Sequence, residues 1–326
     1  MRVASISYVG LLTMMTVLIF LFGPHPVTSQ SETDTCLPIV QRILEEVGNR
    51  CGDMTRNSAC YGNSSISATF VDTASDNVFT EPGDTTEVTR LQKLETAPLS
   101  PDFNIWGVSL MKLQASIPNT IPGQGVIFVL YGDVSLENAV PDNNNFSPID
   151  EPISVITRSG ANIRSGPSTN NNVLASVPSG AELAADAVNP DRTWLRVVTE
   201  GQIGWVSTQV LRSNDKMSTL PVLTRESRMP MQSFYLSASV AGVTCAEAPA
   251  LLVVQGPEGV IVDITANGVD IRMGSTIVIR MLDSHTMEVI AIHGTVRIGN
   301  PLIPPGFAIT VPLTEDGQAT KTASST

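Results

Sequence analysis

From Ile153 onward the chain is written in short runs of β-branched and aliphatic residues, each closed by Gly, Pro, Asn or Ser. Runs of that length with such boundaries are strands, and punctuation this frequent leaves no room for long helices. Val173, Ala175 and Val177 alternate with Leu174 and Ser176. Trp194 to Val197 and Gly204 to Val206 form two further strands, with Glu200-Gly201 as the hairpin tip between them. This central stretch, 152–213, has the spacing of a small barrel or sandwich. Residues 214–231 are polar and aperiodic, the composition of a linker.

Beyond Phe234 the pattern resumes in runs at 234–237, 251–255, 259–265, 269–272, 275–281, 286–292 and 294–298. Asn267-Gly268 between two of them is the strongest two-residue hairpin signal in the chain. Several short strands without a helix predict a C-terminal β-sandwich or β-solenoid module over 232–313. The Thr-, Ser- and Gly-rich tail, 314–326, is expected to be disordered.

The segment 30–150 reads differently. Ile39, Val40, Ile43, Leu44 and Val47 recur at helical spacing behind Thr35 and Pro38, predicting one amphipathic helix over 37–50. Strands follow at 66–70, 105–113 and 126–134, with Trp106 as a core or half-buried sheet residue, an exposed loop at 72–89 and loop chemistry at 117–125. The expectation is an α+β domain, closed by a linker from Pro141 to Pro152. It holds 16 of the acidic and 6 of the basic residues between Ser31 and Asp150, most of the formal charge of −12. That excess repels phosphate backbones and argues against nucleic acid as a partner.

The first 29 residues carry Arg2, an apolar run from Tyr8 to Phe22, a Gly-Pro break and the small residues Val27-Thr28-Ser29. This is a secretory leader with cleavage expected near Ser29, and the run is short for a membrane span. The expected location is therefore secreted or extracytoplasmic, at the cell envelope. Export makes the cysteines readable as disulfides. A helix between Cys36 and Cys51 would separate them by about 22 Å, beyond the roughly 7 Å a disulfide spans. Cys60 then pairs with Cys36 or Cys51, and Cys245 either takes the other or stays free and buried. Asn63-Ser64-Ser65 and Asn145-Phe146-Ser147 match a glycosylation sequon, a pattern common by chance.

Asn162-Ile163-Arg164-Ser165-Gly166-Pro167-Ser168-Thr169 resembles the opening signature of the bacterial SH3-like (SH3b) domain. Val173, Pro178, Gly180, Trp194 to Val197, Gly204-Trp205-Val206-Ser207 and Leu211 follow in register. The resemblance implies a small β-barrel on an exported bacterial protein, and several members bind peptidoglycan peptides or other surface polymers. More weakly, Gly268 to Thr276, Val289 to Ile298 and Pro305-Gly306 are similar to the FecR-like pattern. That similarity implies a module working outside the cytoplasm. Together these give a mainly β, multi-domain chain.

A binding groove wants aromatic faces with polar groups between them. The candidate binding residues are accordingly Arg164, Trp194, Arg196 and Trp205, with Trp205 on a strand and better suited to the core. No catalytic constellation is recognisable. His285, His293 and Asp283 could begin a metal site but have no further ligand at a telling spacing, so neither metal nor cofactor is expected. The expected function is a non-enzymatic binding or scaffold protein contacting cell-wall peptide, glycan or another envelope protein. A cell-wall hydrolase or its accessory, and a FecR-type extracytoplasmic sensor, are the alternatives.

Overall fold

The computed structural model describes residues 36–72, 79–103, 105–114, 125–149, 151–199, 202–239, 248–320 and 324–325. Two strands explain its layout. Val126–Tyr131 (β6) and Leu251–Gln255 (β15) are near-continuous apolar runs, VIFVLY and LLVVQ. A strand apolar on both faces must be covered on both. The two pair antiparallel in the middle of a nine-stranded sheet. Phe128, Leu130, Leu252 and Val254 point to one core, while Val129, Tyr131, Leu251 and Val253 point to another.

The first core is the interior of a β-sandwich. Its second wall is an eight-stranded sheet that includes Leu91–Thr96 (β4), Val134–Asn138 (β7), Ser233–Ala238 (β14) and Val262–Ala266 (β16). Phe128 and Phe234 meet edge to face across the gap, with ring centroids 5.6 Å apart. The second core lies under the predicted helix, Cys36–Cys51 (α1), whose buried stripe Val40, Ile43 and Val47 covers the outer face of the nine-stranded sheet. Trp106 is buried there and stacks on Tyr131. Burial in this layer raises the Tyr131 hydroxyl far above its ordinary value of 10.0.

The segments read as separate N-terminal and C-terminal modules therefore share both sheets. Neither half has a core alone: β6 needs β15 beside it, and β7 needs β14, its antiparallel partner. Together 36–138 and 233–320 make one discontinuous sandwich. Because β7 and β14 are direct partners, everything between Ala139 and Gln232 is an insertion into what would otherwise be a hairpin.

The insertion carries the third sheet. Ile153–Ile156 (β8), Ala161–Arg164 (β9), Val173–Val177 (β10), Glu182–Val188 (β11), Trp194–Thr199 (β12) and Gln202–Ser207 (β13) order as β10-β9-β13-β12-β11-β8. Val155, Ile163, Leu183, Leu195, Val197 and Val206 fill its core. The sheet carries bulges in β10 and β11 and does not close, in contrast to the expected barrel.

Other expectations are corrected by packing. The stretch 72–89, read as exposed loop, contributes the short strand Thr85–Glu87 (β3) and the buried Phe79 and Val88. The supposed linker 214–231 carries a 3-10 turn, Asp215–Thr219, and buries Leu220, Leu223, Met229 and Met231. Four apolar residues scattered without period in a polar segment give no signal until a partner surface is present. Thr314 to Thr320 is ordered too: it folds back so that Ala319 N–H donates to Asn267 O at 2.7 Å and Thr320 N–H to Pro312 O at 2.8 Å. Cys51 and Cys60 are joined, one of the two pairings the helix leaves open. Cys245, the leader, the Glu200-Gly201 tip and most of the 117–125 loop lie outside the described residues. Among the described residues no helix is long and apolar enough to cross a membrane.

The Asn267-Gly268 hairpin forms as expected between β16 and Val269–Met273 (β17), with φ of 51° and 80° at its two central residues. Asn267 does more than turn the chain. Its buried side chain donates to Leu236 O (3.0 Å) and Gly317 O (2.8 Å) and accepts from Leu236 N–H (3.0 Å).

Candidate functional site

The four sequence-chosen binding residues fall on one face of the inserted sheet. Trp205 stands opposite Arg164 on one side and opposite Arg196 on the other. Directly opposed residues in neighbouring strands point the same way. Trp194, two positions before Arg196, shares that face by the period of a strand. The alternating residues Leu195, Val197, Ile163 and Val206 turn to the core.

Within that row the roles divide. Arg196 is buried and donates from Nη1 to Asp186 Oδ2 at 2.5 Å. Burial pushes the Asp186 carboxyl above its usual range, opposed by the charge and hydrogen bond of Arg196 and by the charge of Arg56. Burial likewise lowers the Arg196 guanidinium, opposed by Asp186. Trp205 is half-buried against a small cluster of Phe146, Ala187, Leu223 and Met229. Arg164 and Trp194 are only partly covered. Arg164 donates from Nη1 to Asn171 O at 2.8 Å, bracing the turn that opens the module.

The cluster around Trp205 belongs to the stalk on which the module is mounted. Two chain segments leave the sandwich side by side. Ala139 N–H donates to Ser233 O at 2.9 Å, Phe146 N–H to Arg228 O at 2.8 Å, and Arg228 N–H to Asn144 O at 2.8 Å. Asn138 Oδ1 accepts from both Val140 N–H and Met231 N–H at the base. Higher up, Val188 N–H donates to Pro221 O and Leu223 N–H to Val188 O, tying the returning segment onto β11. Arg56, from the sandwich, donates to Ile149 O at 2.6 Å. The half of the face that carries Arg196 and Trp205 is therefore a joint, and Arg164 and Trp194 form its open half.

Sequence reading missed Asp186, Arg56, Phe146, Leu223 and Met229. Asp186 alone left a signal: an acid in the middle of the apolar run LAADAV, paired with Arg196 one strand away. The other four gain their role from contacts remote in sequence. Asn63 is buried and its side chain donates to Trp106 O, so that sequon is internal. His285 and His293 are exposed at opposite ends of Thr286–His293 (β19), roughly 26 Å apart along an extended strand.

With this geometry in view, the comparisons with known proteins concern the inserted unit. Residues 159–212 match the bacterial SH3 domain family. The match begins just before β9 and ends after β13, within the inserted sheet. Among solved structures, the chain is similar to NlpC2 from Trichomonas vaginalis (20% identity, 33% of this chain, 44% of that chain, TM-score 0.20). It is also similar to NlpC1 from the same organism (19% identity, 29% of this chain, 44% of that chain, TM-score 0.20). The chain spans less than half the length of either structure, and at that TM-score nothing further is drawn from them. Comparison with curated proteins gives no match. The FecR-like reading of 232–313 gains no support, and that segment is half of the sandwich.

Proposed function

We propose that this is an extracytoplasmic contact protein in which the sandwich carries a bacterial SH3 module to cell-wall peptide or glycan, or to another envelope protein. The observation that carries the reading is the family match over 159–212 on a unit mounted at the tip of a hairpin. A buried disulfide in the sandwich is in keeping with an oxidising compartment, and with export by cleavage near Ser29. The contact would use the open half of the face, Trp194 and Arg164. Arg196 and Trp205 would act indirectly, by holding the module on its stalk. The protein works by contact and not by bond breaking.

The test is co-sedimentation of the full chain with insoluble cell-wall material. The wild type should pellet, and Trp194→Ala should weaken binding about tenfold with an unchanged circular dichroism spectrum. A full chain that stays in the supernatant overturns wall contact. Clearing of cell wall in a zymogram overturns the non-enzymatic part.

A further inference from the structure

The inserted sheet has two ends, and they are treated differently. At the β8 end the chain covers its own edge: Arg212 N–H donates to Ile156 O at 2.8 Å, Thr157 bridges to Leu211, and Asn214 Nδ2 donates to Ser154 O at 2.9 Å. At the other end β10 has β9 as its one strand neighbour among the described residues. Val173 and Leu174 are both exposed there, at 48% and 45%, because the bulge turns two successive aliphatic side chains outward. Edge strands are normally guarded by a bulge, Lys, Pro or inward charge; β10 has the bulge and is closed by Pro178, and what it lacks is charge. Here no charged residue occurs from Ser165 to Ala181. The terminal strand of the eight-stranded sheet, Ile66–Phe70 (β2), differs: its first amide donates to Tyr61 Oη and it runs into Asp72.

We propose that the β10 edge receives an extended, uncharged segment of a partner polypeptide, added as a further strand. Charge selects this occupant. The molecule as a whole carries −12, yet this edge is neutral and aliphatic, so it favours an apolar, uncharged strand. Size selects it as well. Five residues span about 17 Å, the length of a peptide strand. A pair of such edges from two copies would bury well under the ~1,200 Å² of a stable interface, and would bring two strongly acidic molecules together. The inference goes beyond the reading of the SH3 module as a contact domain: it adds a polypeptide contact at the β10 edge, separate from that of Trp194.

The probe is a capped hexapeptide alternating Val and Thr, titrated into isotopically labelled full chain and followed by amide chemical shifts. Saturable shifts confined to residues 173–177 and their β9 partners are expected at about millimolar peptide or below. They should be at least ~tenfold weaker in Leu174→Lys, which adds a charge at an already exposed position. They should survive in Trp194→Ala. Shifts centred on Trp194 and its β12 and β13 neighbours, or no shifts at all, overturn the proposal. Concentration-dependent shifts at β10 without peptide, abolished by Leu174→Lys, also overturn it, because a second copy then takes the edge. Wild type that binds peptide but does not pellet with wall defeats wall contact and leaves the β10 edge standing; pelleting without peptide binding does the reverse.

Discussion

The sandwich and the inserted module are both β-rich, but they are specified over different ranges of sequence. Every strand neighbour of β9 to β13 lies within 153–207. The central pairing of the sandwich joins Val126–Tyr131 to Leu251–Gln255, across the whole inserted unit. A unit whose contacts are local can be recognised as a module, excised and reused. A unit whose sheets are pooled from two ends of the chain exists only when both ends are present.

The largest effect should come from cutting the chain in two ways. Ending it at Asp150 removes β14, β15 and every later strand, five of the nine strands in one sandwich sheet and five of the eight in the other. That fragment should lack a cooperative thermal transition by calorimetry. Replacing 141–230 by a short turn should leave a folded sandwich, because β7 and β14 then form a plain hairpin. A cooperative transition in the truncated chain, or none in the excised one, breaks the comparison.

Next comes the buried pair inside the module. Asp186→Ala takes the paired carboxylate away from the buried Arg196 and should cost about 3–5 kcal/mol. The double substitution Asp186→Leu, Arg196→Met should recover most of that or exceed wild type. Chemical denaturation reads both, and an additive double mutant would remove the pair from the account. Asp186 also gives the sign of a pH effect. Its folded carboxyl titrates above the ordinary 3.8, so its stabilising contribution is complete below that value and is lost as pH rises through the raised one. Wild type should therefore lose stability relative to Asp186→Asn across that interval, and the opposite trend would refute the burial argument.

The smallest effect is at a single turn of the sandwich. Asn267→Ala removes two buried hydrogen bonds and a part-buried one, and places a residue without a compensating side chain at φ 51°. A loss of about 2–3 kcal/mol is expected, together with faster amide exchange in the fold-back of Thr314–Thr320, which Asn267 anchors. Unchanged exchange there would show that the tail is held by other contacts.

What could be read from the sequence follows the same division. The helix over 36–51, the Asn267-Gly268 hairpin and the strands of the SH3 module were legible, since each depends on residues within a few positions of one another. The Trp-Arg row was legible as a set of residue types. Its split into a joint and an open half was not, because Phe146, Leu223 and Met229 reach Trp205 only after the stalk folds.

By itself the sequence determined the local terms: period-two patterning, turn chemistry, an amphipathic helix and an SH3 signature. The tertiary structure alone decided that the two flanking segments are one domain, that a polar stretch is a buried stalk, and which sheet edge stays open. The physical reason is that burial on both faces of β6 and β15 is a statement about need. The sequence shows that those faces must be covered, and only the folded chain shows by what.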